Sequence, residues 1–187
     1  MKTLITALAL LFIAPLAHSV EKAGVHLDEE ITAENGEVLQ LNGIGLREKF
    51  WFDIYVGSLY LVDKNSNVAE ILSTPSAYRL QMDFVYKEVD KNKLVKAWCD
   101  GFEQNQDKEA MARLKSRTEQ FYSYFDANAV KGDRYVLDYI PGTGTKITKN
   151  NKLQGVIPGV DFKNALLEIW LGNFPADIAL KKGLLGY

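Results

Sequence analysis

The sequence contains one cysteine and two histidines in 187 residues, which removes several kinds of chemistry. Cys99 alone cannot form an internal disulfide, and its place between Trp98 and Phe102 in a helical pattern predicts a small, buried apolar residue. His18 falls in the N-terminal segment, so His26 is the one histidine of the remaining chain. A histidine-rich metal site is therefore excluded, and a histidine-based triad would have to use a residue in a weakly patterned arm.

Other catalytic signatures are missing as well. No HExxH, CxxC, GxSxG or Walker sequence occurs. The glycines of residues 141–144 (PGTG) lack a following lysine and serine and lead into a strand pattern, so they do not predict a phosphate loop. Lys and Arg number 22 against 24 Asp and Glu, without a basic stripe, which argues against nucleic acid as a partner. No cofactor is predicted.

The first 19 residues, MKTLITALALLFIAPLAHS, have the pattern of a secretory signal peptide, with one lysine, an apolar run and small residues before a cleavage site. The run is too short, and too soon followed by Glu21 and Lys22, for a membrane span. No later window carries the roughly 18 uncharged apolar residues that a span needs. We therefore expect cleavage near Ser19 and a periplasmic or secreted protein, in which residues 20–187 form a single domain.

Residues 41–61, LNGIGLREKFWFDIYVGSLYL, carry the strongest strand pattern of the chain. Apolar even positions from Phe50 to Val56 alternate with odd positions of mixed polar and aromatic character. This alternation predicts a strand with the even positions in the core. Tyr55 lies on the other face, and Arg47 lies where the alternation falters.

Arg47 and Tyr55 are the candidate functional residues of this stretch. The structural alternative is an exposed arginine at a strand end and a half-buried tyrosine. On one straight strand the two positions would lie about 27 Å apart at roughly 3.4 Å per residue, too far to share a ligand. A joint site therefore requires the chain to bulge or reverse near residues 48–50.

Two further regions carry strand patterns. Apolar and polar residues alternate over residues 78–86, which predicts a long, half-buried strand. Residues 135–157 are typical of an antiparallel meander, in which Asn150 and Asn151 form a hairpin turn.

Helical patterns separate and follow these strands. Asp90 and Asp107 are predicted to cap two helices with apolar stripes, Gly172 to end a third, and Pro175 to begin a last one. Strands, then helices, then a meander, then helices predict an α+β architecture with an antiparallel sheet and helices on one face.

Three stretches resemble the chalcone isomerase superfamily, and specifically its bacterial exported chalcone isomerase-like branch. They are residues 41–61, residues 132–147 (GDRYVLDYIPGTGTKI) and residues 160–186 (VDFKNALLEIWLGNFPADIALKKGLLG). The resemblance covers about residues 41–186. It implies an open-faced β-sandwich, in which a long antiparallel sheet is covered on one face by a helical layer with a ligand cleft between them.

The resemblance also implies roles for individual residues. Plant chalcone isomerases assist the attack of a phenolate on an enone with a strand arginine and threonine and a helical tyrosine and asparagine. Arg47 matches the arginine, and Tyr55 stands at the threonine position, as in the fatty-acid-binding members, where arginine and tyrosine hold a carboxylate. The helical pair falls near Leu94 and Gly101, neither of which can donate a side-chain hydrogen bond, and a polar C-terminal position falls close to Asp177.

Three functional hypotheses follow from these residues. The first is an exported, non-catalytic binding protein for a fatty acid or similar amphipathic anion held by Arg47 and Tyr55. Its tail would be buried by helices carrying apolar aromatic residues, namely Trp98, Phe102, Phe121 and Trp170. The second is an intramolecular lyase or isomerase acting on a chalcone-like phenolic enone, with Arg47 stabilising the enolate. The third is an interaction module whose cleft is filled by its own side chains.

Overall fold

The computed structural model describes residues 19–187. The predicted signal peptide lies outside the described residues, except for Ser19. The strands are β1 (Ser19–Lys22), β2 (Val25–Asp28), β3 (Glu30–Thr32), β4 (Val38–Lys49), β5 (Phe52–Leu61), β6 (Tyr78–Phe84), β7 (Glu88–Val89), β8 (Ala129–Val130), β9 (Arg134–Ile140), β10 (Gly144–Lys149) and β11 (Lys152–Ile157). The helices are α1 (Val68–Ser73), α2 (Lys91–Asn105), α3 (Lys108–Ser123), α4 (Val160–Leu171) and α5 (Ile178–Leu184).

Seven of these strands form one antiparallel sheet. Their order is β11-β10-β9-β6-β5-β4-β3, while β1 with β2 and β7 with β8 form two separate two-stranded ribbons. The sheet and its helices confirm the predicted α+β class and the chalcone isomerase-like architecture. No helix within residues 19–187 combines the length and apolar character needed to cross a bilayer.

The main core lies on the helix-covered face of the sheet. Alternate residues of β6, from Tyr78 to Phe84, point into it as the sequence pattern predicts. They belong to one buried cluster with Trp98 of α2, Phe121 of α3 and Trp170 of α4. Burial of this much apolar and aromatic surface is the main force that holds the helices on the sheet.

The opposite face of the sheet is partly covered by the β1–β2 ribbon. Leu27 of β2 and Tyr60 of β5 belong to a second, smaller apolar cluster on this side. Away from the ribbon, this face carries paired charged side chains. Arg79 donates two hydrogen bonds to Asp138 at 2.6 and 2.8 Å. This face therefore combines an apolar cluster under the ribbon with ion-paired side chains beside it.

The predicted caps of α2 and α3 are confirmed. The Asp90 carboxylate accepts hydrogen bonds from the backbone amides of Asn92 and Lys93 at 2.9 and 3.1 Å. Asp107 accepts one from the amide of Ala110 at 2.7 Å. Each carboxylate satisfies amides that have no partner inside the helix, and this fixes where the helix begins.

The last helix begins later than predicted. Pro175 lies in the preceding loop, and α5 begins at Ile178. Asp177 fixes this start, because its side chain caps the helix by accepting a hydrogen bond from the Leu180 amide at 2.7 Å. The helix lies directly on β4, where a Cβ atom at Gly45 would be 2.6 Å from the Leu180 carbonyl oxygen. Glycine at this position therefore allows the backbone of α5 to approach the strand.

The predicted faces of residues 41–61 are wrong in part. These residues form a hairpin of β4 and β5, and Phe50 and Phe52 are exposed at its end instead of lying in the core. Tyr55, predicted on the other face, is buried on the helix-covered side. The reason is a bulge in β5, where Tyr55 pairs with Arg47 and Asp53 with Glu48, so that Ile54 is an extra residue and the alternation shifts by one position.

Cys99 is not a core residue, contrary to its prediction. It is half-buried, and its Sγ lies 3.4 Å from a carboxylate oxygen of Glu103. The buried stripe of α2 consists of Leu94, Trp98 and Phe102, which are spaced four residues apart. Cys99 lies about 100° around the helix from Trp98 and therefore falls at the margin of that stripe.

Candidate functional site

The β4–β5 hairpin brings Arg47 and Tyr55 side by side. Arg47 pairs directly with Tyr55 across the two strands, and the register shifts between Arg47 and Glu48, which marks a bulge. The chain reverses at Phe50 and Trp51, whose φ angles are 50° and 71°. The reversal that a joint site requires is thus present, with its turn at residues 50–51.

The Arg47 guanidinium has no protein counter-charge among the described residues. Its Cζ atom lies 5.8 Å from the centre of the Tyr55 ring, so the cation lies near the aromatic face. The side chain is half-buried, and within residues 19–187 it makes no ion pair and no hydrogen bond. A guanidinium has five N–H donors, and all of them are therefore left for solvent or a ligand.

Tyr55 is held in place by contacts with helix α4 and strand β6. Its side chain is only 2% exposed, and its hydroxyl oxygen accepts a hydrogen bond from the Trp170 indole Nε1 at 2.9 Å. Its ring packs against Phe84 with 5.5 Å between ring centres. No acceptor for the phenolic proton is found in residues 19–187.

Both residues line one cleft of about 570 Å³ at the edge of the sheet. The cleft lies between the β4–β5 hairpin, the end of β6 and the first turns of α2. Its apolar walls are formed by Phe50, Phe52, Ile54, Phe84, Val89, Leu94 and Ala97. A cleft of this size lies within the range of roughly 300–1,000 Å³ that is typical of small-molecule sites.

Four further charged side chains stand around this cleft. Lys49 and Lys93 are positive, and Glu88 and Asp90 are negative. The acidic pair already has partners, because Asp90 caps α2 and Glu88 accepts a hydrogen bond from the side-chain amide of Asn128. The arrangement leaves the Arg47 cation available for an anionic ligand.

The predicted tail-binding residues lie elsewhere. Trp98, Phe102, Phe121 and Trp170 are fully buried against one another, with 5.4 Å between the ring centres of Trp98 and Trp170. They form core and do not line the cleft. The actual walls come from short segments such as the end of β6, whose residues fit a general strand or helix pattern and give no separate sequence signal.

The positions that correspond to the helical pair of the plant enzymes have different surroundings. Leu94 lines the cleft. Gly101 faces α4, where a Cβ atom would lie 2.8 Å from Cγ2 of Ile169. Asp177 is engaged as the cap of α5. None of these three side chains offers a free hydrogen-bond donor to a bound molecule.

A strongly perturbed basic group lies outside the cleft. Lys163 of α4 is completely buried, and its Nζ donates to the carbonyl oxygens of Leu72 and Thr74 at 2.9 and 3.2 Å. Burial without a carboxylate partner lowers the pKa of Lys163 to about 8. This lysine ties α4 to the end of α1.

Within residues 19–187, no group of three or more metal-ligating side chains comes together.

The sheet, the helical layer on one face and the cleft between them define an open-faced β-sandwich with a small-molecule cleft. The model of the chalcone isomerase-like family matches residues 19–186, and the chain belongs to this family. A comparison with curated proteins finds no match.

Among solved structures, the chain is similar to the Arabidopsis thaliana fatty-acid binding protein AtFAP1. The TM-score is 0.65 at 16% sequence identity, and the match covers 90% of this chain and 96% of that protein. At this identity the similarity shows a shared fold.

Proposed function

We propose that this protein is an exported, non-catalytic binding protein for a fatty acid or a similar amphipathic anion. Arg47 and Tyr55 hold the carboxylate, and the apolar walls of the cleft hold the tail. The observation that supports this most directly is the Arg47 guanidinium, which is half-buried beside Tyr55 and has no protein partner within residues 19–187.

The carboxylate head group of such a ligand fits the unpaired hydrogen-bond donors of Arg47 and Tyr55. A half-buried cation without an acceptor is costly, and a carboxylate that accepts hydrogen bonds from a guanidinium relieves that cost. The phenolic proton of Tyr55, which has no acceptor within residues 19–187, supplies one more donor. Hydrogen bonds to charged groups contribute about 1.5–3 kcal/mol each, which is enough to select an acid over its neutral analogue.

The tail fits the apolar walls. Transfer of each methylene from water to an apolar site contributes about 0.8 kcal/mol, so a tail packed against Phe52, Phe84 and Leu94 adds substantial affinity. The fold similarity to AtFAP1, a fatty-acid binding protein, is consistent with this ligand class.

The non-catalytic part of the proposal is supported by Leu94 and Gly101. A leucine lines the cleft and a glycine faces α4 where the plant enzymes carry hydrogen-bonding side chains. The rival function, chalcone isomerisation, is tested by following the loss of a chalcone in the presence of the protein. A rate above the spontaneous one that is lost in Arg47→Ala would overturn the non-catalytic proposal.

Export rests on the sequence of residues 1–19. The N-terminus of the protein recovered from the periplasm or medium of its own cells is expected to begin close to Ser19. Recovery only from the cytoplasm, with Met1 retained, would contradict export without affecting the ligand proposal.

Ligand binding is tested by titrating palmitate and hexadecanol in a calorimeter. The two molecules share a tail, so their difference isolates the carboxylate. Palmitate should bind more tightly to the wild type, and Arg47→Ala should remove this preference. Arg113→Ala is the matched control, since Arg113 is an exposed arginine of α3. Equal affinity of the wild type for both molecules, or the same loss in both variants, would contradict the proposed site.

A further inference from the structure

Three aromatic residues at the end of the β4–β5 hairpin are exposed to an unusual degree. Trp51 is 99% exposed, Phe50 77% and Phe52 54%. We call these three residues the aromatic tip. Trp98 and Trp170, the other two tryptophans of the chain, are buried. The aromatic tip thus presents apolar surface that contributes nothing to either core cluster.

The turn that carries the aromatic tip is also strained. Three two-residue hairpin turns of the described chain have positive φ at both central residues, namely Ala23-Gly24, Phe50-Trp51 and Asn150-Asn151. Asparagine and glycine adopt this conformation readily, whereas bulky side chains are outliers there. Phe50 and Trp51 therefore destabilise the turn relative to asparagine or glycine. Their presence indicates that the exposed rings serve another purpose.

We propose that the aromatic tip inserts into the interfacial zone of a lipid bilayer and docks the cleft on the membrane surface. Aromatic rings favour the headgroup region, where one side is apolar and the other wet. Lys49 stands directly beside the tip, with its Nζ 5.8 Å from the centre of the Phe50 ring. Glu48 and Asp53, also exposed and paired across the same hairpin, offset the positive charges of Lys49 and Arg47, so the aromatic rings rather than net charge carry the docking.

The exposed area favours a bilayer over a protein partner. Three aromatic side chains at these exposures offer roughly 350–600 Å² of surface. A stable protein interface buries about 800 Å² on each partner, so a second copy of this chain would need further contacts beside the hairpin. Insertion into a bilayer needs no complementary surface, and a few aromatic side chains are enough to anchor a protein at the interface.

The docking surface is continuous with the cleft. Lys49, Phe50 and Phe52 belong both to the neighbourhood of the aromatic tip and to the cleft walls. A docked protein would therefore have its cleft mouth at the level of the lipid headgroups. The docking goes beyond the proposed function and does not depend on it, because it rests on the exposure and strain of the turn.

Tryptophan fluorescence of the purified protein tests the insertion. The probe is a vesicle of phosphatidylcholine and phosphatidylglycerol in equal parts, with and without bromine atoms on the lipid chains, which quench nearby tryptophans. Trp51 should shift to shorter wavelength on binding and be quenched by the brominated lipid. Trp98 and Trp170 are too deep in the core to respond. Unquenched fluorescence of the bound protein would overturn the proposal, even if another segment of the chain attached it to the vesicle.

The double variant Phe50→Asn/Trp51→Gly gives the sharper test. It installs the residues that the turn favours, so the melting temperature should rise by about 2–8 °C. Vesicle binding, measured by flotation, should nevertheless fall by about tenfold or more. Asn151→Gly is the matched control at the β10–β11 turn, and it should leave vesicle binding unchanged. Undiminished vesicle binding by the double variant would overturn the proposal.

Two further measurements separate this proposal from its alternatives. Arg47→Ala removes the proposed carboxylate contact and should still bind vesicles, so that failure of ligand binding and failure of docking are distinguishable. Sedimentation of the wild type should show the same mass over a wide concentration range. Concentration-dependent dimerisation that the Phe50→Asn/Trp51→Gly variant abolishes would assign the aromatic tip to a second copy of the chain and overturn membrane docking.

Discussion

Trp170 donates its indole hydrogen to the hydroxyl of Tyr55 at 2.9 Å inside the main core. The two residues are 115 positions apart in the chain, one on helix α4 and the other on strand β5. Because the Tyr55 oxygen accepts this bond, its own proton is not used in it, and no acceptor for that proton lies within residues 19–187. A core hydrogen bond thereby holds the hydroxyl oxygen of a proposed ligand-binding residue in place.

Tyr55→Phe should cost both stability and affinity. It leaves the buried Trp170 N–H without an acceptor, which costs about 1–3 kcal/mol of the free energy of unfolding. It also removes one donor to the charged carboxylate, which should weaken palmitate binding by about 1.5–3 kcal/mol. Urea denaturation and calorimetry measure the two effects. Tyr86→Phe removes a phenol from the same cleft without breaking a hydrogen bond within residues 19–187, and an equal stability loss in that variant would contradict the role of Trp170.

Lys163 should make the protein more stable as the pH rises above 8. The folded pKa is about 8 against an ordinary value of 10.5, so between these values the unfolded chain holds a proton that the folded chain has released. Raising the pH therefore favours folding, by an amount on the order of 1–3 kcal/mol. Above about pH 10 the trend should reverse, because burial raises the pKa of Tyr60 to about 12 and only the unfolded chain then ionises this tyrosine.

The measurement is urea denaturation at a series of pH values from 7 to about 11. Lys163→Met should remove the rise between pH 8 and 10, while Lys152→Met, at an exposed lysine of β11, should leave it in place. A rise that persists in Lys163→Met would assign the effect to another group.

Gly45→Ala should loosen α5 from the sheet. The new methyl group would lie 2.6 Å from the Leu180 carbonyl oxygen, a backbone atom that cannot move unless the helix moves. We expect a loss of about 1–3 kcal/mol, as for other overpacked sites, and faster proteolysis near the C-terminus. Gly183→Ala approaches the same contact from the helix, where its Cβ would lie 2.4 Å from the Ile44 carbonyl oxygen. Wild-type stability in both variants would contradict this account of the contact.

Asp90→Asn should strengthen the binding of an anion without unfolding α2. Asparagine caps a helix about as well as aspartate, so the stability should change by less than about 1 kcal/mol. The variant removes a negative charge from the cleft lining, and palmitate should bind about two- to fivefold more tightly at low salt. Asp90→Ala is the control for the cap and should cost about 1 kcal/mol of stability. Weaker palmitate binding by Asp90→Asn would show that the head group does not lie near this residue.

Local patterns of the sequence predicted most of the fold. The alternation in residues 78–86, the caps Asp90 and Asp107, and the turn at Asn150 and Asn151 each depend on neighbours within a few positions. Such local signals can be recognised from the sequence without knowledge of distant contacts. The family resemblance added the cleft between sheet and helices and the proposed roles of Arg47 and Tyr55.

Other features depend on partners that the sequence does not reveal. Phe50 and Trp51 gave no turn signal, because neither residue favours positive φ. The faces of β5 were misassigned because its bulge at Ile54 shifts the alternation by one residue. The bond from Trp170 to Tyr55 joins distant segments. Lys163 is buried although lysine is among the least buried residue types, and only the packing of α4 against α1 explains its position. The ligand-binding roles of Arg47 and Tyr55 stay predictions.

The walls of the cleft come from the ends of secondary-structure elements rather than from the middle of the sheet. They belong to the hairpin end of β4 and β5, the exit of β6 and the entry of α2. Most of the aromatic residues that hold the helices on the sheet lie outside these walls. Substitutions at the more exposed wall positions, such as Phe52 and Lys93, can therefore alter the shape and charge of the cleft at little cost to folding. Natural selection can accordingly adapt the same scaffold to different small molecules, one surface position at a time.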